Sequence, residues 1–475
     1  MTGSARTSDP AAANLTPILL IACAATFLVY LDAAIVNLAF GAIAAAFPDT
    51  SQHTMTWIAT GFAVAFAAGL AVGGHLADTL GHRRLLLVGA LGFGLASAAC
   101  AAAPTAGMLI AARVAQGGTG ALLLPAALGG LLAAAPASRA AAVIGAWGAS
   151  GSFAAVLGPG VGAELVDLAG WRWLFLINVP ASLLLVAACA RLPQPGQLRR
   201  EMPDLPGALL LSGGLAAVVV AISQSSRWGY HAPLTLSLGA LGLLAGAATL
   251  WRSRSQQVPV IPIPLLTDRV FAGASLVNAA LGAALFTNML AVPLFLTTVW
   301  HLSLVQAGGA IGLVGVAAMA GAVATGRYAG PNSARWFAAA GMALMSVETA
   351  VLASHWFGSH RSWPLWTVLA VVAGIGVGVA VSALSICAST ALDTDDMAVG
   401  MGVTLTARQL GGTVGLAVLA AVLTSTTSPG FVDSFHRLFC GLAVCTLAIA
   451  IATVPLLRIR AAAPAQQVAA PLVRD

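Results

Sequence analysis

The sequence predicts an all-α integral membrane protein with fourteen transmembrane helices, and two features of the chain carry this prediction. Hydrophobic residues make up 59% of its 475 residues and charged residues only 8%, whereas soluble domains are usually about a quarter charged. The apolar residues also fall into runs of about 20, the length an α-helix needs to cross a hydrocarbon core of roughly 30 Å. Little sequence remains outside these runs, so any function has to be carried out within a membrane.

Short breaks that carry arginine or turn-forming residues divide the chain into apolar runs, here called predicted spans 1 to 14. We expect span 1 to be a retained helix and not a removed signal peptide, because its apolar run continues past any plausible cleavage point. The predicted spans comprise residues 17–40, 54–76, 84–103, 106–133, 139–163, 171–190, 205–226, 233–251, 270–298, 304–327, 335–356, 364–390, 397–424 and 436–457.

The distribution of arginine predicts the orientation in the membrane. All 21 basic residues are arginines. With the N-terminus in the cytoplasm, fifteen of them lie in inside segments and only Arg172, Arg227, Arg361 and Arg437 in outside loops, which follows the positive-inside rule. Both termini are therefore expected in the cytoplasm. The net charge of +6 follows from these loop arginines and does not indicate a nucleic-acid partner.

Two breaks are more polar than the others, and they bracket predicted spans 7 and 8. The simplest organisation is six helices, a two-helix insert and six more helices. Paired halves suit a transporter that rocks around a central site. The predicted parts are a cytoplasmic tail (1–16), a six-helix bundle (17–190), a linker with spans 7 and 8 (191–269), a second six-helix bundle (270–457) and a second cytoplasmic tail (458–475).

The residue inventory excludes several enzyme classes. The chain contains no lysine, so it has neither a P-loop lysine to hold phosphates nor an amine for Schiff-base chemistry. The eight histidines show no ligand spacing, and the six cysteines lie in apolar stretches without a CxxC pair, which favours packed thiols. We expect no enzyme activity, no catalytic residue, no metal site and no cofactor.

The break between predicted spans 2 and 3 carries a turn motif on the expected cytoplasmic side. Gly74 and Gly81 permit close backbone approach and a tight turn, and Asp78 can face the positive N-terminal end of a neighbouring helix. Arg83 and Arg84 can hold carboxylates or lipid phosphates. This motif resembles the signature loop of the major facilitator superfamily, which latches the two halves in the outward-facing state. That resemblance implies the major facilitator fold.

Further phrases are similar to those of one branch of that superfamily, the fourteen-helix drug:proton antiporters of the EmrB/QacA type. The resemblance covers nearly the whole chain and implies proton-coupled export. The phrases are LDAAIVNLA (31–39), RVAQGGTG (113–120), GPGVG (158–162), WRWLFLINVP (171–180) and RQLGG (408–412). The chain departs from the family pattern at Ala34, Gly41, Phe62, Thr79, His82, Ala163 and Glu164.

Predicted span 5 is rich in glycine and contains the antiporter motif, with Gly151, Gly158, Pro159 and Gly162. Small residues let a helix from the other half pack closely, and Pro159 frees a backbone carbonyl. In the resembled family this motif is associated with export and not with uptake. Generic helix packing is the alternative explanation of the glycines.

Charges within helices are candidates for function, because a charge near the bilayer centre costs several kcal/mol unless it is paired or solvated. Asp32, midway along span 1, is expected to bind and release a proton, with Arg113 of span 4 as its partner. The alternative is a static ion pair that only fixes helix packing. Glu348 in span 11 is expected to provide a second proton site or to bind a cationic group of the substrate; alternatively it faces a wet crevice. Arg408 is expected to bridge to backbone or to carboxylates.

Polar side chains along the expected cavity could orient a substrate in an otherwise apolar pocket, or join helices to each other. These candidates are Asn37, Gln116, Trp147, Asn288, Arg408 and Gln409.

The leading functional prediction is a monomeric antiporter of a bacterial cytoplasmic membrane, with membrane lipid as its surroundings. Protons are the coupling ion, and the expected substrate is a lipophilic or cationic drug or secondary metabolite. A proton-linked importer of a small metabolite is the alternative. A non-transporting receptor or scaffold is a third possibility, and the absence of a large loop argues against it.

Overall fold

The computed structural model describes residues 10–38, 40–192, 204–358, 360–423 and 430–458. Within these ranges the chain forms α-helices, two single 3₁₀ turns and no β-strand. The helices are α1 (Pro10–Leu38), α2 (Phe40–Ala46), α3 (Gln52–Leu80), α4 (His82–Ala102), α5 (Ala106–Ala134), α6 (Ala140–Ala169), α7 (Trp173–Leu176), α8 (Asn178–Ala190), α9 (Leu205–Trp228), α10 (Pro233–Ser253), α11 (Ile263–Thr267), α12 (Arg269–Thr298), α13 (Leu304–Tyr328), α14 (Ala334–Leu352), α15 (Trp363–Ser389), α16 (Met397–Val422) and α17 (Phe431–Leu456).

Thirteen spans in the described part of the chain are long and apolar enough to cross a membrane. The predicted span 335–356 corresponds to α14, which is not among the thirteen. Its 19 residues include Arg335 and Glu348, and both side chains lower its hydropathy. The prediction of an all-helical membrane protein is confirmed, whereas the count of fourteen stays a prediction.

Several helix bounds differ from the predicted ones. Helix α1 begins at Pro10, within the predicted tail, and α17 begins at Phe431. The predicted span 171–190 is divided at Ile177 into α7 and α8. The short helices α2 and α11 lie in predicted breaks, where a single turn of apolar residues gives no periodic signal.

Helices before α9 pack mainly on one another, as do those after α11. Helix α3 packs on α5, α1 on α6, and α4 on both α5 and α8, while α12 packs on α16, α13 on α15, and α14 on α15 and α17. Contacts of α3 with α16 and of α6 with α13 join the two sets. Helices α9 and α10 pack on each other, and α9 also contacts α3 and α16.

Glycines make these joining contacts close. A Cβ atom on Gly74 of α3 would collide with the backbone of α16 at Ala398, and one on Gly402 of α16 would lie 2.5 Å from the carbonyl oxygen of Leu70. Where α6 meets α13, a Cβ atom on Gly145 of α6 would lie 2.7 Å from Cα of Gly326 on α13. Since lipid is as apolar as the helix surfaces, such close van der Waals contact is a main source of helix association in a membrane.

A charged cluster attaches the α9–α10 pair to α3. Asp204 precedes α9 and accepts hydrogen bonds from the backbone N–H of Gly207 at 3.0 Å and from Nε of Arg252 at 2.8 Å. The backbone N–H of Asp204 in turn donates to Nε2 of His75 on α3 at 3.3 Å. The start of α9 and the end of α10 are therefore held together beside α3.

Candidate functional site

Asp32 lies on α1 with none of its surface exposed, and three side chains donate to its carboxylate. Nη1 of Arg113 lies 2.6 Å from Oδ2, while Nε2 of Gln116 and Nδ2 of Asn178 lie 2.9 and 2.7 Å from Oδ1. Both carboxylate oxygens thus only accept hydrogen bonds, which suits the ionised form of the group. The predicted partnership of Asp32 with Arg113 is confirmed.

The guanidinium of Arg113 is held from several directions. Its Nε donates to the carbonyl oxygen of Ile58 on α3 at 3.1 Å, and its Nη1 also lies 2.5 Å from Oε1 of Gln116. The carbon at its centre lies 4.2 Å from the ring centroid of Phe62 and 5.7 Å from that of Phe175. Cation–π contacts of this kind are strongest where water is excluded. The family-atypical Phe62 therefore serves as one wall of the site.

Two members of this site were not predicted. Asn178 occupies the start of α8, and Ser97 on α4 accepts a hydrogen bond from Nε2 of Gln116 at 2.7 Å. Gln116 itself was predicted to line the substrate cavity, but it is fully buried between these groups. We call this set the Asp32 cluster; its members are Asp32, Ser97, Arg113, Gln116 and Asn178. Its side chains come from four helices, α1, α4, α5 and α8.

A second buried carboxylate lies among the later helices. Glu348 on α14 is 3% exposed, and Nδ2 of Asn288 on α12 lies 3.4 Å from its Oε2. Among the described residues it forms no ion pair. The sequence singled out both residues without linking them, and the structure places them in contact.

The predicted latch motif joins α3 to the start of α16. Oδ1 of Asp78 accepts a hydrogen bond from the backbone N–H of Ala398 at 3.1 Å, and Oδ2 accepts one from Val399 at 2.7 Å. These are free donors in the first turn of a helix, where the helix dipole also favours a negative charge. The prediction that Asp78 faces a helix N-terminus is confirmed.

The rest of the motif shapes the turn. Gly81 has φ of 96° and separates α3 from α4, a backbone conformation that favours glycine. Arg83 was expected to hold carboxylates or phosphates, but it donates to the carbonyl oxygens of Cys189 at 3.1 Å and Ala190 at 2.7 Å. Both carbonyls lie in the last turn of α8, beyond the regular intrahelical hydrogen bonds. Arg84 is exposed.

Replacing Asp78 by asparagine is expected to weaken the closed contact between α3 and α16. The variant keeps the shape but has one acceptor oxygen in place of two, so one hydrogen bond is lost and the other loses its charge. Hydrogen bonds to charged groups are worth about 1.5–3 kcal/mol each. We expect the fraction of molecules in which α3 and the start of α16 have separated to rise about tenfold. The distance between spin labels at the exposed positions 84 and 395 measures this fraction. Asp393→Asn, an exposed carboxylate before α16, is the control. An unchanged distance distribution in Asp78→Asn would refute the latch.

The glycines of the antiporter motif face α1, which belongs to the same set of helices as α6. A Cβ atom on Gly151 would lie 3.1 Å from Cδ2 of Tyr30, and one on Gly162 would lie 3.2 Å from Cβ of Ile35. Gly158 likewise packs against Ala34. The expectation that the glycines of this helix receive a helix from the other half is wrong for these three, whereas Gly145 of the same helix does meet α13. The side chain of Pro159 lies outside the described part.

Gly151→Ala is expected to reduce transport severalfold and to destabilise the fold by about 1–3 kcal/mol, the usual cost of overpacking. The added methyl group would displace the ring of Tyr30, whose hydroxyl oxygen accepts a hydrogen bond from Arg408 on α16. The matched control is Gly118→Ala on α5, where a Cβ atom would meet nothing within 4 Å. Transport rates and thermal unfolding of both variants in detergent test this. Equal behaviour of the two variants would show that Gly151 has no packing role.

Arg408 contacts neither backbone nor carboxylate in the described part. Its Nη2 donates to the hydroxyl oxygen of Tyr30 at 2.9 Å, which links α16 to α1. The predicted bridge to backbone or carboxylates is therefore wrong. Of the remaining cavity candidates, Trp147 is buried and Gln409 is half-buried, while the side chain of Asn37 lies outside the described part.

Long apolar helices that enclose buried, paired charges are typical of a multi-pass membrane transport protein. The chain belongs to the Major Facilitator Superfamily, whose family profile matches residues 22–416.

Two bacterial relatives and one solved structure illustrate the membership. The chain is 32% identical over 433 residues to the puromycin resistance protein of Streptomyces alboniger, with 87% of this chain and 83% of that protein covered. It is also 32% identical over 407 residues to a probable actinorhodin transporter of Streptomyces coelicolor, covering 82% and 69%. The fold is similar to that of the human organic anion transporter TETRAN, with a TM-score of 0.67 at 16% identity over 95% of this chain and 100% of that one.

Proposed function

We propose that the chain is a proton-coupled antiporter that exports lipophilic drugs, antibiotics or secondary metabolites across a bacterial cytoplasmic membrane. The observation that carries this proposal is the Asp32 cluster, a carboxylate buried between helices and held by donors that can change partners. Relatives named for puromycin resistance and actinorhodin transport support a role in export. The glycine motif of α6 supports the same direction by resemblance.

In this proposal two six-helix bundles, with α9 and α10 inserted between them, alternate around a central site. Both termini lie in the cytoplasm, and α14, which corresponds to predicted span 11, also crosses the membrane and brings the number of spans to fourteen. The contact of Asp78 with α16 then closes the cytoplasmic side, so the arrangement described above is outward-facing. A ligand that prefers one of two arrangements shifts the population towards it.

Proton binding at Asp32 supplies such a preference. A proton on the carboxylate removes the charge that holds Arg113 and leaves one oxygen as a donor where it had been an acceptor. Arg113, Gln116 and Asn178 must then find other partners, which changes how α1 packs against α5 and α8. Glu348 is proposed as a second proton site or as the partner of a cationic group on the substrate, since it is buried beside Asn288.

Growth of an efflux-deficient bacterial host that expresses the chain, across a panel of antibiotics and dyes, tests the proposal. We expect reduced sensitivity to at least one compound, and a protonophore should abolish its efflux. Inside-out vesicles then decide the direction, because an exporter accumulates the compound in them when the proton gradient is applied. Accumulation only in right-side-out vesicles would instead favour the importer.

A further inference from the structure

Arg408 is a buried cation without an anionic partner. It lies on α16 with 7% of its surface exposed, and its one hydrogen bond among the described residues is to the phenol of Tyr30. No carboxylate in the described part lies within 4 Å of it. Among the described residues, two other arginines do form ion pairs, Arg113 with Asp32 and Arg252 with Asp204. Arg408 therefore stands apart from the compensated charges.

A guanidinium in the membrane interior costs several kcal/mol unless its charge is compensated. A phenol oxygen is neutral and accepts one of the five N–H donors that arginine presents in a plane. The remaining donors keep the fork geometry that matches the two oxygens of a carboxylate. In the described ranges Glu348 is the other buried charged residue without an ion pair, and it lies on a different helix, α14, which packs on α15 and α17.

Tyr30 and Arg408 each pack closely against a glycine of a further helix. The ring of Tyr30 packs against Gly151 of α6, where no side chain occupies the space. The backbone carbonyl of Arg408 lies against Gly282 of α12, so closely that a Cβ atom there would collide with it. The guanidinium is thus presented between α1 and α16, two helices that belong to different sets and meet at few other points. A group bound there would contact both sets.

We infer that Arg408, oriented by Tyr30, binds the acidic group of a lipophilic organic acid, such as a carboxylate, phenolate or enolate on an apolar body. That the bound acid is a transported substrate rests on the proposed export function. The inference narrows the substrate from lipophilic compounds in general to those that carry a negative charge. Tyr30 is a positioning residue, because it acts through the orientation of Arg408.

Three probes that share a pyrene body and a butyl arm test the inference: pyrenebutyric acid, pyrenebutanol and pyrenebutylamine. Binding to the purified protein in lipid nanodiscs is measured by energy transfer from tryptophan to pyrene. We expect the acid to bind about tenfold or more tightly than the alcohol, because a charge-assisted hydrogen bond contributes about 1.5–3 kcal/mol. The shared body makes the apolar contacts equal, and nanodiscs without protein correct for the different partition of the three head groups into the lipid.

Variants separate the roles of the two residues. Arg408→Gln is expected to lose the preference for the acid and keep the affinity for the alcohol, while Arg408→Lys keeps part of the preference. Tyr30→Phe retains the ring and is expected to weaken binding of the acid severalfold without changing that of the alcohol. Unchanged alcohol binding shows that each variant is folded.

Two results would contradict the inference that Arg408 binds an anion. One is a wild type that binds the acid no better than the alcohol, and the other is a preference for the acid that persists in Arg408→Gln. The proposed export is tested separately by the same probes in proteoliposomes with an imposed proton gradient. Selective binding of the acid without gradient-driven movement of any probe would contradict the export function and leave the anion site supported.

Discussion

Replacing Asp32 by asparagine is expected to reduce proton-driven export at least about 100-fold, which corresponds to roughly 2.7 kcal/mol. Asparagine fills the same space, but its single amide oxygen can accept either from Arg113 or from Gln116 and Asn178, and it cannot exchange a proton. The variant therefore keeps part of the contacts of the Asp32 cluster and loses the proposed coupling step. The measurement is the initial rate of proton-driven accumulation of the compound in inside-out vesicles that contain equal amounts of protein.

The matched control is Glu164→Gln on α6, which removes an exposed carboxylate by the same change of atoms. We expect wild-type efflux from this control. Downhill exchange of substrate across the membrane should survive in Asp32→Asn, because alternation between the two states does not itself require a proton. Undiminished gradient-driven efflux in Asp32→Asn would remove Asp32 from the mechanism.

Replacing Arg113 by alanine is expected to have the largest effect on stability, about 3–5 kcal/mol. The change leaves the carboxylate of Asp32 buried without its ion pair, removes the bond to the carbonyl of Ile58, and leaves a space between Phe62 and Phe175. A lower midpoint of thermal unfolding in detergent and poor recovery from the membrane are the expected observations.

A second variant separates lost charge pairing from lost packing. Arg113→Gln combined with Asp32→Asn removes both charges, and it should be more stable than Arg113→Gln alone, because no unpaired buried charge remains. If the double variant is less stable than the single one, the pair would not be the dominant interaction of the cluster.

The sequence predicted the membrane class, most helix positions and two specific contacts. Runs of about 20 apolar residues identify helices because the bilayer imposes that length. The pairing of Asp32 with Arg113 could be predicted because few charges occur inside the spans and each needs compensation. The position of Asp78 at a helix N-terminus followed from its motif and from the physics of free backbone donors.

Other parts of the site depend on helix rotation and register, which one sequence does not contain. Asn178 belongs to the segment WRWLFLINVP (171–180), but this segment alone does not show that the Asn178 side chain reaches Asp32. The same holds for Tyr30, an aromatic residue in an apolar run, whose hydroxyl meets Arg408 on a helix far along the chain. The antiporter glycines predicted a close contact with a helix of the other half, whereas three of them face α1.

Proton movement driven by a substrate gradient tests the central claim most directly. The purified protein is placed in liposomes that contain a pH-sensitive dye, and a compound identified by the growth panel is added on one side. The account predicts that protons move opposite to the compound in the wild type and that Asp32→Asn shows no such movement. Protons that move with the compound, or the same opposite movement in Asp32→Asn, would contradict it.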